Sequence, residues 1–260
     1  MTTDRAAAPQ RDDVIVDVKG LTVRFGGLLA LTDIDLDVGH GERLVILGPN
    51  GAGKTTLFNV IAGDLTPTSG TVHIKGVDCT TLPSRDRPTL GVARTYQKAR
   101  SFDGLTVEDN LYLALVGKHG PHRRLRRTAT DREYRERAGE AAASVWLDRQ
   151  LHTLVGNLSH GQKRQLEVGM CIITDPDVML LDEPASGLAR GERERLIELL
   201  NGLGSDTTLL VIEHDMDVAF RVGRRVFVMA NGAEVAQGTP AEIQANTEVH
   251  DIYLGSQATT

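Results

Sequence analysis

The sequence predicts an α/β fold with a mostly parallel sheet, interrupted by a helical insertion. Three observations carry this. Continuous apolar runs at Leu44–Leu47, Val178–Leu181, Leu209–Ile212 and Val226–Met229 suit central strands buried on both faces. Helical stripes, such as Leu196, Ile197, Leu200 and Leu203, separate the later runs. Between about Phe102 and Gly156 strand patterns give way to helical ones.

Along the chain, residues 1–12 are polar and read as a disordered tail. Order is expected to begin at Val14–Val18, which is β-branched. Ile34, Leu36 and Val38 alternate with Asp33, Asp35 and Asp37, the period of a half-buried strand, and Gly39–Gly41 make a turn. A helix is expected from near Gly53 to Gly63, with short strands at Thr71–Ile74 and around Gly91–Ala93. The insertion carries helical patterns at Val107–Leu115 and Tyr134–Val145. Asp131 with Arg135 and Glu133 with Arg137, at the start of the second, are spaced as i,i+4 pairs, which implies an exposed helix. Lys118–Arg127 is basic and broken by Gly and Pro, and reads as a solvated loop.

Composition excludes several classes. Of 260 residues, 40% are hydrophobic and 25% charged, as in a soluble globular domain, while aromatics at 4% leave the core to Val, Leu, Ile and Ala. A formal charge of −6 argues against non-specific nucleic-acid binding, which needs a basic surface. Cys79 and Cys171 are far apart and form no zinc-type or disulfide pattern, which fits a reducing cytosol. No stretch reaches the roughly 20 apolar residues of a membrane-spanning helix, and no signal peptide is evident, so any membrane role is expected to come through partners.

The strongest chemical motif follows the first apolar run. Gly48-Pro49-Asn50-Gly51-Ala52-Gly53-Lys54-Thr55, continuing to Thr56, matches GxxxxGK[ST] between a strand and a helix. Glycines let successive backbone N–H groups turn inward onto phosphates, and the helix N-terminus adds a favourable dipole. Lys54 is expected to reach the β- and γ-phosphates and the Thr55 hydroxyl to ligate Mg²⁺. Asp182 ends the run Val178–Leu181, where open α/β sheets place ligands, and there it can hold the metal. Glu183, the next residue, is set to activate water. Leu158-Ser159-His160-Gly161-Gln162 precedes another helix, with Ser159 as an N-cap and Gly161 permitting close backbone approach.

With these three motifs in this order, residues 14–255 resemble the ATP-binding-cassette ATPases. The resemblance implies a P-loop NTPase core over residues 13–255, with an N-terminal antiparallel β part, a helical subdomain at about 98–165 and a tail at 256–260. It implies a head-to-tail dimer that clamps ATP. The usual signature LSGGQ reads LSHGQ here. Ser159 and Gly161 would contact the γ-phosphate held by the other subunit, with Gln162 in the same nucleotide-contacting segment. The resemblance further assigns Gln97 to the Mg²⁺ site, His214 to the γ-phosphate and Phe25 to stacking on adenine. It departs at Ser186-Gly187-Leu188-Ala189, where the family usually ends in Asp; Ala189 suits a heterodimer with unequal sites.

Arg24-Phe25-Gly26-Gly27, the Leu-Ser-His-Gly-Gln-Lys segment and Ile252-Tyr253-Leu254-Gly255 look most like the ATPase subunits of importers for branched-chain amino acids, and for urea or short-chain amides. The implied partners are a second ATPase subunit, two integral membrane permeases and, indirectly, a solute-binding protein, at the cytoplasmic face of the membrane. Alternatives are a lipopolysaccharide-export ATPase, which shares the Tyr-Leu-Gly ending, and a soluble cassette ATPase without a transport role. A P-loop kinase would have no use for the Ser159–Gln162 segment.

Overall fold

The computed structural model describes residues 13–96, 101–119 and 129–257. Strands β1 (Val14–Phe25), β2 (Leu28–Gly39) and β3 (Arg43–Leu47) lead into helix α1 (Lys54–Ile61). Then come β4 (Ser69–Ile74), β5 (Val77–Asp78), a 3-10 segment at Ser84–Leu90 and β6 (Val92–Arg94). Between β6 and the next strand lie α2 (Val107–His119), α3 (Ala129–Ser144) and α4 (His160–Ile172). The chain continues through β7 (Val178–Asp182), α5 (Arg190–Gly202), β8 (Thr208–Ile212) and α6 (Met216–Val222). It ends with β9 (Arg225–Ala230), β10 (Ala233–Gly238), α7 (Pro240–Gln244) and α8 (Thr247–Gln257). Among the described residues, no helix is long and apolar enough to cross a membrane.

The strands form two sheets. The first, antiparallel, has the order β2-β1-β4-β5, and the second the order β10-β9-β3-β8-β7-β6. In the second, only the β9–β10 hairpin is antiparallel. The apolar runs behave as their composition requires, since a strand turns alternate side chains to opposite faces. Leu44 and Ile46 of β3 enter the core shared with α1 and the antiparallel sheet, alongside Leu180, Leu210 and Phe227. Val45 and Leu47 enter the other core, with Leu181, Val211, Val228 and the helices of the insertion. The Asp-rich alternation also holds, for Ile34, Leu36 and Val38 are buried while Asp33 and Asp35 are exposed.

One expectation about the insertion is corrected. Arg135 does not merely decorate an exposed helix: it crosses to α2, pairing with Glu108 at 2.9 Å and Asp109 at 3.3 Å. Arg137 turns to the carbonyl of Ile173 at 2.9 Å, and Arg132 pairs with Glu136 one turn along α3 at 3.1 Å. The cause is packing. Tyr134, Ala138, Ala141 and Ala142 bury one side of α3, which brings the flanking arginines within reach of less hydrated acceptors on neighbouring elements. Of the basic stretch Lys118–Arg127, residues 120–127 lie outside the described residues.

Candidate functional site

The phosphate loop is built where β3 ends against the β9–β10 hairpin. Two of its glycines are required sterically. At Gly48 (φ 154°) a Cβ would overlap the carbonyl oxygen of Met229, and at Gly53 (φ 98°) it would lie 2.8 Å from the carbonyl of Ala30. The loop is tied to the hairpin by Gly232, whose N–H donates to Ala52 at 3.1 Å and whose carbonyl accepts from Thr32 at 2.8 Å. The hairpin turn carries Asn231 (φ 51°) and Gly232 (φ 78°), the Asn-Gly pair that a tight two-residue hairpin favours. Asn-Gly after an apolar run is a readable hairpin signal, but its packing under the phosphate loop is not.

Helix α1 starts without a side-chain cap and has no acidic residue in its first turn. Its first N–H groups are therefore left to an incoming anion, with the helix dipole pointing the same way. Lys54 is 6% exposed and its Nζ donates to the carbonyls of Gly48 at 2.7 Å and Pro49 at 2.9 Å. Burial lowers its pKa, and the nearby charges of Glu183 and Asp182 oppose that shift. Lys54 thus rests against the loop's own carbonyls, a position from which it can turn to a phosphate.

Asp182 is 1% exposed, and neither carboxylate oxygen has a hydrogen-bond partner. Arg94 Nη2 stands 3.5 Å away. Burial raises its pKa, with Arg94 pulling the other way. A buried carboxylate without a hydrogen bond, offset only by one arginine at 3.5 Å, has room for a further cation, and hard oxygen ligands of this kind fit Mg²⁺. Arg94 was not singled out from the sequence. It pairs with Asp64 at 3.0 Å and stacks on Tyr96 at 4.8 Å, so it spans the metal-binding candidate and the segment before Gln97. Gln97 itself lies outside the described residues.

Glu183 has φ 49°, a left-handed conformation unusual for a residue with a side chain. Its N–H donates to the carbonyl of Ile212 at 3.0 Å, and its Oε2 lies 3.8 Å from Nδ1 of His214. The two residues come from the ends of adjacent strands, β7 and β8, which explains why positions far apart in sequence meet.

A cavity of about 570 Å³ opens beside these groups. Asn50, Gly51, Ala52, Gly53, Lys54, Thr55, Thr56 and Glu183 line it, and Phe25 closes one side with Leu28 and Leu29. Phe25 is 50% exposed, leaving an aromatic face free to stack. Leu28, Leu29, Ala30, Asn231 and Gly232 also line the cavity and were not foreseen.

The Leu-Ser-His-Gly-Gln segment is elsewhere: none of Ser159, Gly161 or Gln162 lines this cavity. Ser159 caps α4 reciprocally. Its Oγ accepts the Gln162 N–H at 3.2 Å, and Gln162 Oε1 accepts the Ser159 N–H at 2.9 Å. That leaves the serine O–H and the glutamine amide hydrogens as donors. Gly161 is needed for close approach, since a Cβ there would overlap the carboxylate of Glu192. Glu192 Oε2 also accepts the N–H of Ala189, which begins α5 with no side-chain acceptor of its own.

A glycine-bearing loop between a buried strand and an uncapped helix, beside a buried carboxylate, defines a nucleotide-phosphate site on a P-loop α/β core. Comparison with known proteins narrows the class. The profile of the ABC transporter family matches residues 31–186, and that of the branched-chain amino acid ATP-binding cassette transporter matches residues 235–259. The chain is 38% identical over 253 residues to the high-affinity branched-chain amino acid transport ATP-binding protein LivG of Salmonella typhimurium, covering 93% of this chain and 98% of that one. It is 37% identical over 254 residues to BraF of Pseudomonas aeruginosa, with the same two coverages, 93% and 98%. Among solved structures, the ADP conformation of MJ1267, an ATP-binding cassette of an ABC transporter, superposes with a TM-score of 0.82 at 28% identity, covering 93% of this chain and 99% of that one. The dimeric structure of MJ0796, a bacterial ABC transporter cassette, gives a TM-score of 0.76 at 26% identity, covering 86% and 98%. The chain belongs to the ABC transporter family and is an ATP-hydrolysing cassette subunit.

Proposed function

We propose that this chain hydrolyses MgATP to drive an importer of branched-chain amino acids or a closely related small solute such as urea or a short-chain amide. The observation that carries this reading is the match of residues 235–259 to the branched-chain amino acid cassette profile. That segment lies outside the reaction centre, so it separates subfamilies that share one chemistry. It favours this reading over a lipopolysaccharide exporter or a soluble cassette.

In this reading adenine stacks on Phe25 and the triphosphate lies along Gly48–Thr56, with Lys54 leaving its carbonyl partners for the β- and γ-phosphates. Thr55, Asp182 and Gln97 would hold Mg²⁺, which supplies charge neutralisation at the phosphate oxygens when bound. Glu183 takes a proton from, or orients, the attacking water, and His214 beside it contacts the γ-phosphate. The dimeric relative supports a second cassette, identical or not, whose Ser159-equivalent donors complete the site. Two permeases would hold the pair at the cytoplasmic face of the membrane, with a solute-binding protein acting through them.

The test is reconstitution with its permeases and binding protein. Leucine, isoleucine or valine is expected to stimulate ATP hydrolysis; stimulation by an unrelated solute and by none of these would sink the solute assignment. Glu183→Gln is expected to bind ATP yet lose about 10²–10⁴-fold in turnover, the usual worth of a general base. Near-wild-type turnover would remove Glu183 from its role.

A further inference from the structure

Glu213 is a charged residue to which the catalytic reading gives no part. It stands between the last residue of β8 and His214, and it is 0% exposed. Burial pushes its carboxyl above the usual range, against the pull of the Ala185 N–H and His214. A buried carboxyl is unfavourable unless its oxygens are engaged. Here both are. Oε1 accepts the backbone N–H of Ala185 at 3.0 Å, and Oε2 accepts the backbone N–H of His214 at 3.3 Å. The residue's own N–H donates to the carbonyl of Ile46 at 3.2 Å, in the strand that leads into the phosphate loop.

These bonds converge on the turn that carries Glu183. The turn is closed by the Ser186 N–H donating to the Glu183 carbonyl at 3.1 Å, and Ala185 sits inside it. Glu183 holds a left-handed backbone conformation there, φ 49°. Such a conformation persists only where the surroundings over-determine it. The Ile212 carbonyl fixes the turn at Glu183 itself, and the Glu213 carboxylate fixes it two residues on. The second oxygen of the same carboxylate fixes the start of the loop bearing His214.

We propose that Glu213 is a positioning residue for hydrolysis: one buried carboxylate clamps the backbones of Ala185 and His214 and so sets the Glu183 carboxylate against the His214 ring. This rests on the reading of Glu183 as the group that acts on water. The donors of the phosphate loop and α1 lie outside the clamp, and His214 is the one γ-phosphate contact it reaches, so its loss falls on the chemical step far more than on nucleotide affinity.

Glu213→Gln keeps the size but turns an amide NH₂ toward one of two N–H donors, which breaks one arm of the clamp. In the purified full chain, kcat is expected to fall about 10–100-fold, the cost of a small misplacement of a reacting group. KM for ATP and the affinity for a fluorescent ATP analogue should stay within about two-fold, as for a group acting only on the chemical step. In a Glu183→Gln background, adding Glu213→Gln should change the residual rate by less than about two-fold, because the group it positions is already gone. Unchanged kcat in E213Q, or fully additive losses in the double variant, would overturn the proposal. A parallel fall of kcat, ATP affinity and thermal midpoint in E213Q assigns it a structural role and also overturns it, unless Glu213→Asp, whose shorter carboxylate reaches one N–H, binds ATP normally and still loses kcat. Wild-type turnover in E183Q sinks the reading of Glu183 and this proposal together; an inactive E183Q beside an active E213Q sinks this proposal alone.

Discussion

Helices α1 and α4 both begin at glycine-bearing segments, yet their N-termini are finished in opposite ways. The start of α1 has no side-chain cap and no first-turn acid, and a buried lysine waits against its loop. The start of α4 closes on itself through the Ser159–Gln162 capping box, with the Glu192 carboxylate packed on Gly161. The first is an anion site left open within its own chain. The second has the N–H groups of Ser159 and Gln162 engaged by its own side chains, and it does not line the cavity beside Lys54. In the proposed reading the first start holds the nucleotide, and the second completes hydrolysis across a pair of subunits.

Substitutions can break that comparison. The largest effect is expected from Lys54→Ala, which removes the charge facing the phosphates and should cost about 10²–10³-fold in hydrolysis, with ATP affinity lost in an equilibrium binding assay. Gly161→Ala forces Glu192 away and should lower turnover at high protein concentration while leaving ATP binding by the isolated chain intact. Equal loss of binding in both variants would erase the distinction between the two helix starts. Ser159→Ala removes one half of the capping box and should lower stability by about 0.5–2 kcal/mol in urea denaturation, with ATP affinity unchanged.

Ala189→Asp is the reverse experiment. It supplies an acceptor where α5 has none, and should raise stability by up to about 1 kcal/mol. Its effect on turnover tests whether Ala189 matters for coupling between sites.

The smallest expected effect concerns pH. Glu167, buried in α4, has its pKa raised by desolvation, with Arg164 at 2.7 Å opposing. With a folded pKa above the unfolded one, this group's contribution to stability falls as pH rises from the ordinary carboxylate value through the raised one. Glu167→Gln removes that titration, so the variant's stability relative to wild type should climb with pH across the same window. A pH-independent difference would show that Glu167 is not shifted.

Much of the candidate site was legible because it is local. Gly48–Thr56 declares its loop by glycine spacing, Ser159 declares an N-cap, and Asp182-Glu183 follows an apolar strand, whereas the return bond from Gln162 came only with the structure. Arg94, Glu213, Glu192 and the Asn231–Gly232 turn were not legible as parts of the site, since nothing in their neighbours says what they touch. The misread arginines of α3 failed for the same reason: spacing pointed to partners on their own helix, and packing supplied better ones on α2 and at Ile173.

By itself the sequence determined the central strands, the helices at the motifs and the chemistry each end could offer, because strand alternation, turn glycines and helix caps depend on residues within a few positions; β5, β10 and α6–α8 it did not mark. Only the tertiary structure decided which ends meet. The order β9-β3-β8-β7 sets Gly232 under the phosphate loop and lets Glu213, at the end of β8, reach the turn after β7. That order is chosen by burial of both faces of the central strands at once, a collective property that no single segment carries.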